Sequence, residues 1–428
     1  MKIIQLTPGT GSFYCGTCLR DNALVSALRR QGHDALMVPL YLDPALDEVA
    51  ASEGAPIFYG GINVYLQQKS GFFRKTPRFV DALFDSATAL KSAAKRAGMT
   101  DPSELGDLTL STLKGEDGNQ SKELERLVQW LTTEIKPDVV CLSNALLLGL
   151  ARRIKEQTGA KVYCTLQGED YFLDLLKEPS RSECWRVLGE RGQEVDGFIA
   201  VSHYYAEVMT RRASLPKEKV SVVYNGISLE GYPSMPRATL PDPPVIGFLS
   251  RMCDLKGLGT LVDAFILLRQ KPGRERVKLH IAGAQTEGDL PYLEREVEDK
   301  LKVANLWGDC ILSPNISREE KIAFLKSISV LSVPALYGEA FGLYLIEAMA
   351  AGVPVVQPDH AAFPEVLQKT GGGLLFEGTG AQTLADALDS LLSKPEQILE
   401  LGKAGHHAVH SHFSVERMAE EVTKVFST

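Results

Sequence analysis

Short apolar runs alternate along this chain with longer stretches whose apolar positions recur every three or four residues. Lys2–Thr7, Asp34–Pro39, Val139–Leu142, Lys161–Leu166 and Gly197–Val201 read as strands, as do Val245–Ser250, Lys278–Ala282, Val330–Pro334 and Val353–Gln357. Continuous apolar strands separated by helical patterns predict parallel sheets with helices on both faces. The alternation breaks at Tyr232-Pro-Ser-Met-Pro-Arg-Ala-Thr-Leu-Pro-Asp-Pro-Pro244, which holds five prolines in thirteen residues. Such a stretch continues neither a helix nor a central strand. The expected division is therefore an α/β domain over residues 1–231, with a helical insert at about 65–135. A linker follows at 232–244, and a second α/β domain begins at Val245.

The pattern is most specific at Gly338-Glu-Ala-Phe-Gly-Leu-Tyr-Leu-Ile-Glu347, which runs on into Ala348-Met-Ala-Ala-Gly-Val-Pro-Val-Val356. The apolar run reads as a buried helix closed by Gly352, with Pro354 just beyond it. Glu339 then stands on the loop before that helix and Glu347 within its first turns. A helix N-terminus favours an anion, phosphate above all, through its free N–H groups and its dipole. Carboxylates flanking a phosphate would repel it, so they read better as acceptors for hydroxyls. Hydroxyls on both sides of a phosphate describe a nucleotide sugar.

With Phe341-Gly342-Leu343 between the glutamates, this segment resembles the Glu-x7-Glu motif of the retaining glycosyltransferases of family 4. The resemblance covers most of the chain from Val139 onward, and the N-terminal helix. It implies the GT-B fold: two facing Rossmann-like domains with the active site in the cleft between them. It also implies that 245–408 binds the nucleotide sugar and that a C-terminal helix, 409–428, packs back on the first domain. Glu347 would accept bonds from the ribose hydroxyls and Glu339 would orient hydroxyls of the transferred sugar. The backbone of Phe341, Gly342 and Leu343 would hold phosphate and sugar oxygens. The base would rest near Ser313-Pro-Asn-Ile316.

Departure of a diphosphate has to be stabilised. No Asp-x-Asp metal motif occurs, which leaves the task to cationic side chains and helix-end amides. Arg251 follows a strand and Lys256-Gly257 opens the next helix, as in the family's Gly-Arg-x-x-x-x-Lys-Gly clamp, with Ser250 where a glycine is usual. No cofactor or metal is expected. On the N-terminal side, Pro8-Gly-Thr-Gly-Ser-Phe-Tyr-Cys-Gly-Thr-Cys18 resembles the family's Gly-Gly loop, with Gly16 as its second glycine and Cys15 replacing the first. Cys15 and Cys18 lack the further ligands that zinc needs and read as small loop residues. Many relatives carry a histidine where Gln167 stands. Gln167 cannot shuttle a proton at neutral pH, so Glu169 and Asp170 become candidates for acceptor binding or general base, or alternatively for a helix N-cap. Asp170 is grouped with Glu339, Arg251 and Lys256 as the catalytic set.

Composition narrows the partners. A formal charge of −8, from 46 basic and 54 acidic residues, argues against a dedicated nucleic-acid binder. Seven cysteines scattered through apolar segments read as reduced thiols, and Met1-Lys-Ile-Ile-Gln-Leu enters a strand directly, so a cytoplasmic location is expected. Between Lys69 and Arg96 seven basic side chains interleave with four phenylalanines. That segment reads as an ordinary amphipathic helix pair, with weak membrane-surface contact through 69–96 as the alternative. The expected function is hexosyl transfer from a nucleotide diphosphate sugar to an unidentified hydroxyl acceptor, retaining and metal-independent. A non-catalytic nucleotide-sugar-binding relative and a nucleotide-sugar epimerase are the rival readings.

Overall fold

The computed structural model describes residues 1–9, 11, 15–52, 54–59, 67–68 and 105–428. The basic segment 69–96 and most of the expected insert lie outside these. The chain forms two compact units, Met1–Tyr224 with Met418–Thr428, and Asn225–Arg417.

In the first unit six strands form an all-parallel sheet: β1 (Lys2–Thr7), β2 (Asp34–Pro39), β3 (Val139–Leu142), β4 (Lys161–Leu166), β5 (Gly197–Ala200) and β6 (Val220–Val222). Their spatial order is β2-β1-β3-β4-β5-β6. Every residue of β3 and β5 is buried, as strands covered on both faces must be. The helix Gly16–Arg30 carries the chain from β1 to β2. The last helix, Val415–Ser427, contributes Phe426, whose ring centre lies 4.9 Å from that of Tyr163 on β4.

The second unit repeats the plan with β7 (Val245–Leu249), β8 (Lys278–Gly283), β9 (Cys310–Pro314), β10 (Val330–Leu331), β11 (Val355–Pro358) and β12 (Gly373–Phe376). The order is β12-β11-β10-β7-β8-β9, again parallel throughout. The chain therefore runs outward from β7 to β9, returns to the other side of β7, and runs outward again from β10 to β12. The proline-rich stretch 232–244 lies inside this unit. Arg237 donates from Nη1 to Ile328 O (2.6 Å) and from Nη2 to Leu325 O (3.1 Å), so the stretch is tied to the unit at that point. The break expected at 408/409 falls within a continuous helix, Pro395–His412.

Three strands are additional to the apolar runs: β6, β9 and β12. All are edge strands, and Ile311 and Leu312 of β9 are exposed. Short apolar runs occur in β9 and β12 too, but these three strands are mostly only partly buried. Conversely, Val330–Pro334 shortens to Val330–Leu331. Ser332 N still reaches Gly247 O (2.9 Å), but Ala335 N then closes a turn on Val333 O (2.8 Å) and the chain leaves the sheet toward Glu339.

Gly257 caps the helix Leu258–Arg269 with φ +70°, and a Cβ there would lie 1.9 Å from Pro334 O. Gly378 has a similar φ of +72° with open space around it. Gly378→Ala should therefore cost only the left-handed penalty of about 1–2 kcal/mol. Gly257→Ala must also displace a backbone carbonyl and should cost roughly 3 kcal/mol or more. Urea unfolding of the two variants checks this; equal losses would mean the close approach is absent.

Candidate active site

In an open parallel sheet, ligands gather beyond the carboxyl ends of strands where the winding direction reverses. In the second unit that point lies between β7 and β10, and the charged candidates cluster around it. Arg251 and Lys256 follow β7, Asp289 follows β8, and Glu339 follows β10. The strand order β10-β7-β8 thus lays out Glu339, the two cations and Asp289 in sequence along one edge.

Each charge is held by a partner within the unit. Arg251 Nη2 donates to Asp289 Oδ1 (3.0 Å). Asp289 is itself fixed, because its other oxygen accepts from Thr286 N (2.8 Å) and Thr286 Oγ1 (2.7 Å). The Arg251 side chain is 45% exposed, and its Nε and Nη1 take no partner among the described residues. Lys256 Nζ donates to Glu339 Oε2 (2.6 Å) and to the Tyr337 hydroxyl. The same Glu339 oxygen accepts from the hydroxyls of Tyr337 and Tyr344, each at 3.1 Å. Burial pulls the Lys256 ammonium down, but the Glu339 charge, the Tyr337 oxygen and their hydrogen bonds outweigh it and hold the ammonium above its ordinary value. Burial, reinforced by Glu339, pushes both tyrosine hydroxyls up, so they remain donors.

Gly342 caps the helix Leu343–Ala350 with φ +83° and ψ +75°. This conformation aims the backbone out of the preceding loop and suits only glycine well. The amides of Gly342 and Leu343 have no hydrogen-bond partner among the described residues, as expected at a helix start. Phe341 is buried beside them. Glu347, the fifth residue of this helix, pairs through Oε1 with Lys321 Nζ at 2.7 Å. Around the expected base loop, Asn315 clasps Gln285, accepting from its N and donating to its O, both at 3.0 Å.

The first unit reverses its winding between β1 and β3. There Asp21, fully buried, accepts from Thr7 Oγ1 (2.8 Å) and Ser143 Oγ, and pairs with Arg20 (3.1 Å). Gln167 Nε2 donates to Ser143 O (2.7 Å). Glu169 and Asp170 open the helix Glu169–Leu175, whose cap is Gly168, so neither carboxylate is its N-cap. Glu169 takes the amides of Ala145 (2.9 Å) and Gln167 (2.7 Å) and the Tyr205 hydroxyl (3.1 Å). It pins two loops together. Asp170 lies at the rim of this network, 3.0 Å from Tyr205 Oη and 3.8 Å from Arg212. Burial raises the pKa of both carboxyls.

Gly16 is the exposed first residue of the helix Gly16–Arg30. Cys15 caps it, and the Cys18 thiol is buried one turn on. The neighbouring Cys18 thiol, helped by the Cys18 and Thr17 amides, lowers Cys15 to about 6 against the opposing effect of burial. All seven cysteines are unbridged. Among the described residues no cluster of three or more His, Cys, Asp or Glu side chains could hold a metal ion. None of the described helices is long and apolar enough to cross a membrane.

Two all-parallel six-stranded α/β units are the architecture of the GT-B fold class. The family model described as "Glycosyl transferases group 1" matches residues 235–408, and that described as "Glycosyltransferase Family 4" matches 116–230. The chain belongs to the family-4 glycosyltransferases. It is 29% identical over 257 residues to D-inositol 3-phosphate glycosyltransferase of Streptomyces bingchenggensis, covering 56% of this chain and 55% of the relative. The enzyme of that name from Nocardia farcinica is 28% identical, with the same shares covered. The chain thus spans about half the length of the curated relatives it matches. Its fold is shared with sucrose-phosphate synthase of Thermosynechococcus elongatus (TM-score 0.72, 19% identity, covering 100% of this chain and 98% of that one). It is shared also with Anabaena HepE in complex with UDP and glucose (TM-score 0.69, 17% identity, 100% of both).

Sequence reasoning missed Asp289, Tyr337, Tyr344 and Lys321. Only Tyr337, two residues before Glu339, and Tyr344, inside the motif, lay close enough to have been flagged.

Two outcomes follow from these contacts. Glu169→Gln should lower stability by about 1–3 kcal/mol because a buried donor loses its acceptor, while Asp170→Asn should cost less than ~1 kcal/mol; thermal unfolding compares them. Cys15 should react with iodoacetamide with a pH midpoint near 6. Cys18→Ala should return it toward the ordinary thiol range of about 8.5, read by peptide mass spectrometry. A wild-type midpoint already in that range would mean that Cys18 does not depress Cys15.

Proposed function

We propose that this chain transfers a hexose from a nucleotide diphosphate sugar to a hydroxyl acceptor, with retention and without a metal. One observation carries the reading. Each of the two motif glutamates has one oxygen held by protein donors and the other without a partner among the described residues, on either side of two unpartnered helix-start amides. Oxygens of that kind accept from hydroxyls, and amides of that kind donate to phosphate.

In this reading Arg251 neutralises the departing diphosphate with the N–H groups that Asp289 leaves over. Lys256 adds its third N–H and its charge. A preorganised cationic pair needs no reorganisation as charge develops on the leaving oxygen. Glu339 orients sugar hydroxyls, Glu347 holds the ribose, and the amides of Gly342 and Leu343 hold phosphate. The leaving phosphate oxygen takes the proton of the attacking hydroxyl on the same face of the sugar. Asp170 is the acceptor-side carboxylate. The D-inositol 3-phosphate glycosyltransferases and UDP-bound HepE support a nucleotide-sugar donor and a polyhydroxylated acceptor. A non-catalytic relative would bind the donor and release no product.

Differential scanning fluorimetry across UDP, GDP, ADP and their common sugars tests the reading. One nucleotide series should raise Tm, the shift should survive EDTA, and Arg251→Ala should weaken donor binding on the order of a hundredfold. Loss of the shift in EDTA would overturn metal independence. Donor binding with no transfer to any acceptor in a polyol panel would favour the non-catalytic relative.

A further inference from the structure

We propose that Lys321 is a positioning residue for the donor: it orients Glu347 so that one carboxylate oxygen faces the ribose hydroxyls. The proposal rests on the donor site described above and adds a residue to it from outside both motifs.

Lys321 is the fourth residue of the helix Arg318–Ser327, which follows β9 and leads into β10. A reciprocal cap sets where that helix begins. Glu320 N donates to Ser317 Oγ (3.2 Å), and Ser317 N donates to Glu320 Oε2 (2.8 Å). With the first turn fixed, Lys321 N bonds Ser317 O at 2.8 Å. Its Nζ meets Glu347 Oε1 at 2.7 Å, with the two side chains only 11% and 15% exposed.

The arrangement repeats the one at Glu339. There Oε2 collects Lys256 and two tyrosine hydroxyls and leaves Oε1 over. At Glu347, Lys321 occupies Oε1 and leaves Oε2 over. A carboxylate rotates freely about its last bond unless one oxygen is tied. Tying Oε1 therefore decides where Oε2 points. A strut between two helices would use the same ion pair, but it would have no reason to affect one part of the ligand more than another.

The experiment separates these roles by removing a group from the ligand as well as from the protein. Dissociation constants would be measured calorimetrically for UDP, GDP and ADP, and for the 2′-deoxy and 3′-deoxy forms of whichever binds. Wild type should prefer the ribonucleotide over at least one deoxy form by about tenfold or more, the range of a hydrogen bond to a charged group. Lys321→Met should weaken ribonucleotide binding about tenfold, leave that deoxy form within about twofold, and so erase the preference. Lys321→Arg should restore most of it, and Glu347→Gln should behave as Lys321→Met does. If Lys321→Met lowers Tm and weakens both forms equally, the lysine is only a strut and the proposal is overturned. If wild type binds a nucleotide without preferring its ribose form, the Glu347 role fails and takes Lys321 with it. If wild type binds none of the three, the donor site itself is refuted.

Discussion

A parallel sheet buried on both faces is the constraint from which the rest of this structure follows. Each strand must be reached by a crossover that covers a face, so every strand delivers its chain to the same edge. In the second unit that edge receives Arg251 and Lys256 from β7, Asp289 from β8 and Glu339 from β10. Because β10 returns to the side of β7 away from β8, no helix crosses over the gap between them. The site occupies the place that the winding leaves open.

Charges brought that close need partners, and the partners chosen here leave capacity over. An uncompensated charge in a largely buried position is costly, while a fully compensated one has nothing left for a ligand. Asp289 satisfies one nitrogen of the Arg251 fork and leaves two unengaged. Lys256, Tyr337 and Tyr344 converge on one oxygen of Glu339, and Lys321 takes one of Glu347. The first unit shows the contrasting case. Glu169 has its oxygens filled by Ala145, Gln167 and Tyr205 and holds loops together, while its neighbour Asp170 stands at the rim. Adjacent carboxylates thus differ through packing alone.

Much of the fold was legible because burial leaves a signal in composition. The central strands β3, β5 and β11 are buried along their whole length, and their apolar runs stand out. The edge strands β6, β9 and β12 are mostly only partly buried, and their short runs carry a weaker signal. The proline-rich stretch was legible as neither helix nor central strand. That it belongs to the second unit depends on Arg237 reaching the carbonyls of Leu325 and Ile328, far away in sequence.

The candidate site divides in the same way. Local sequence determined the loop–helix–strand unit around Glu339 and Glu347, the glycine at 342 and the cations at 251 and 256, because turn, cap and strand chemistry act over a few residues. Tertiary structure alone decided that Asp289 faces Arg251 and that Lys321 faces Glu347 across 26 positions. Ion pairs between elements carry no periodicity and need no fixed spacing. They depend on which strand ends the sheet order makes neighbours, and only folding sets that order.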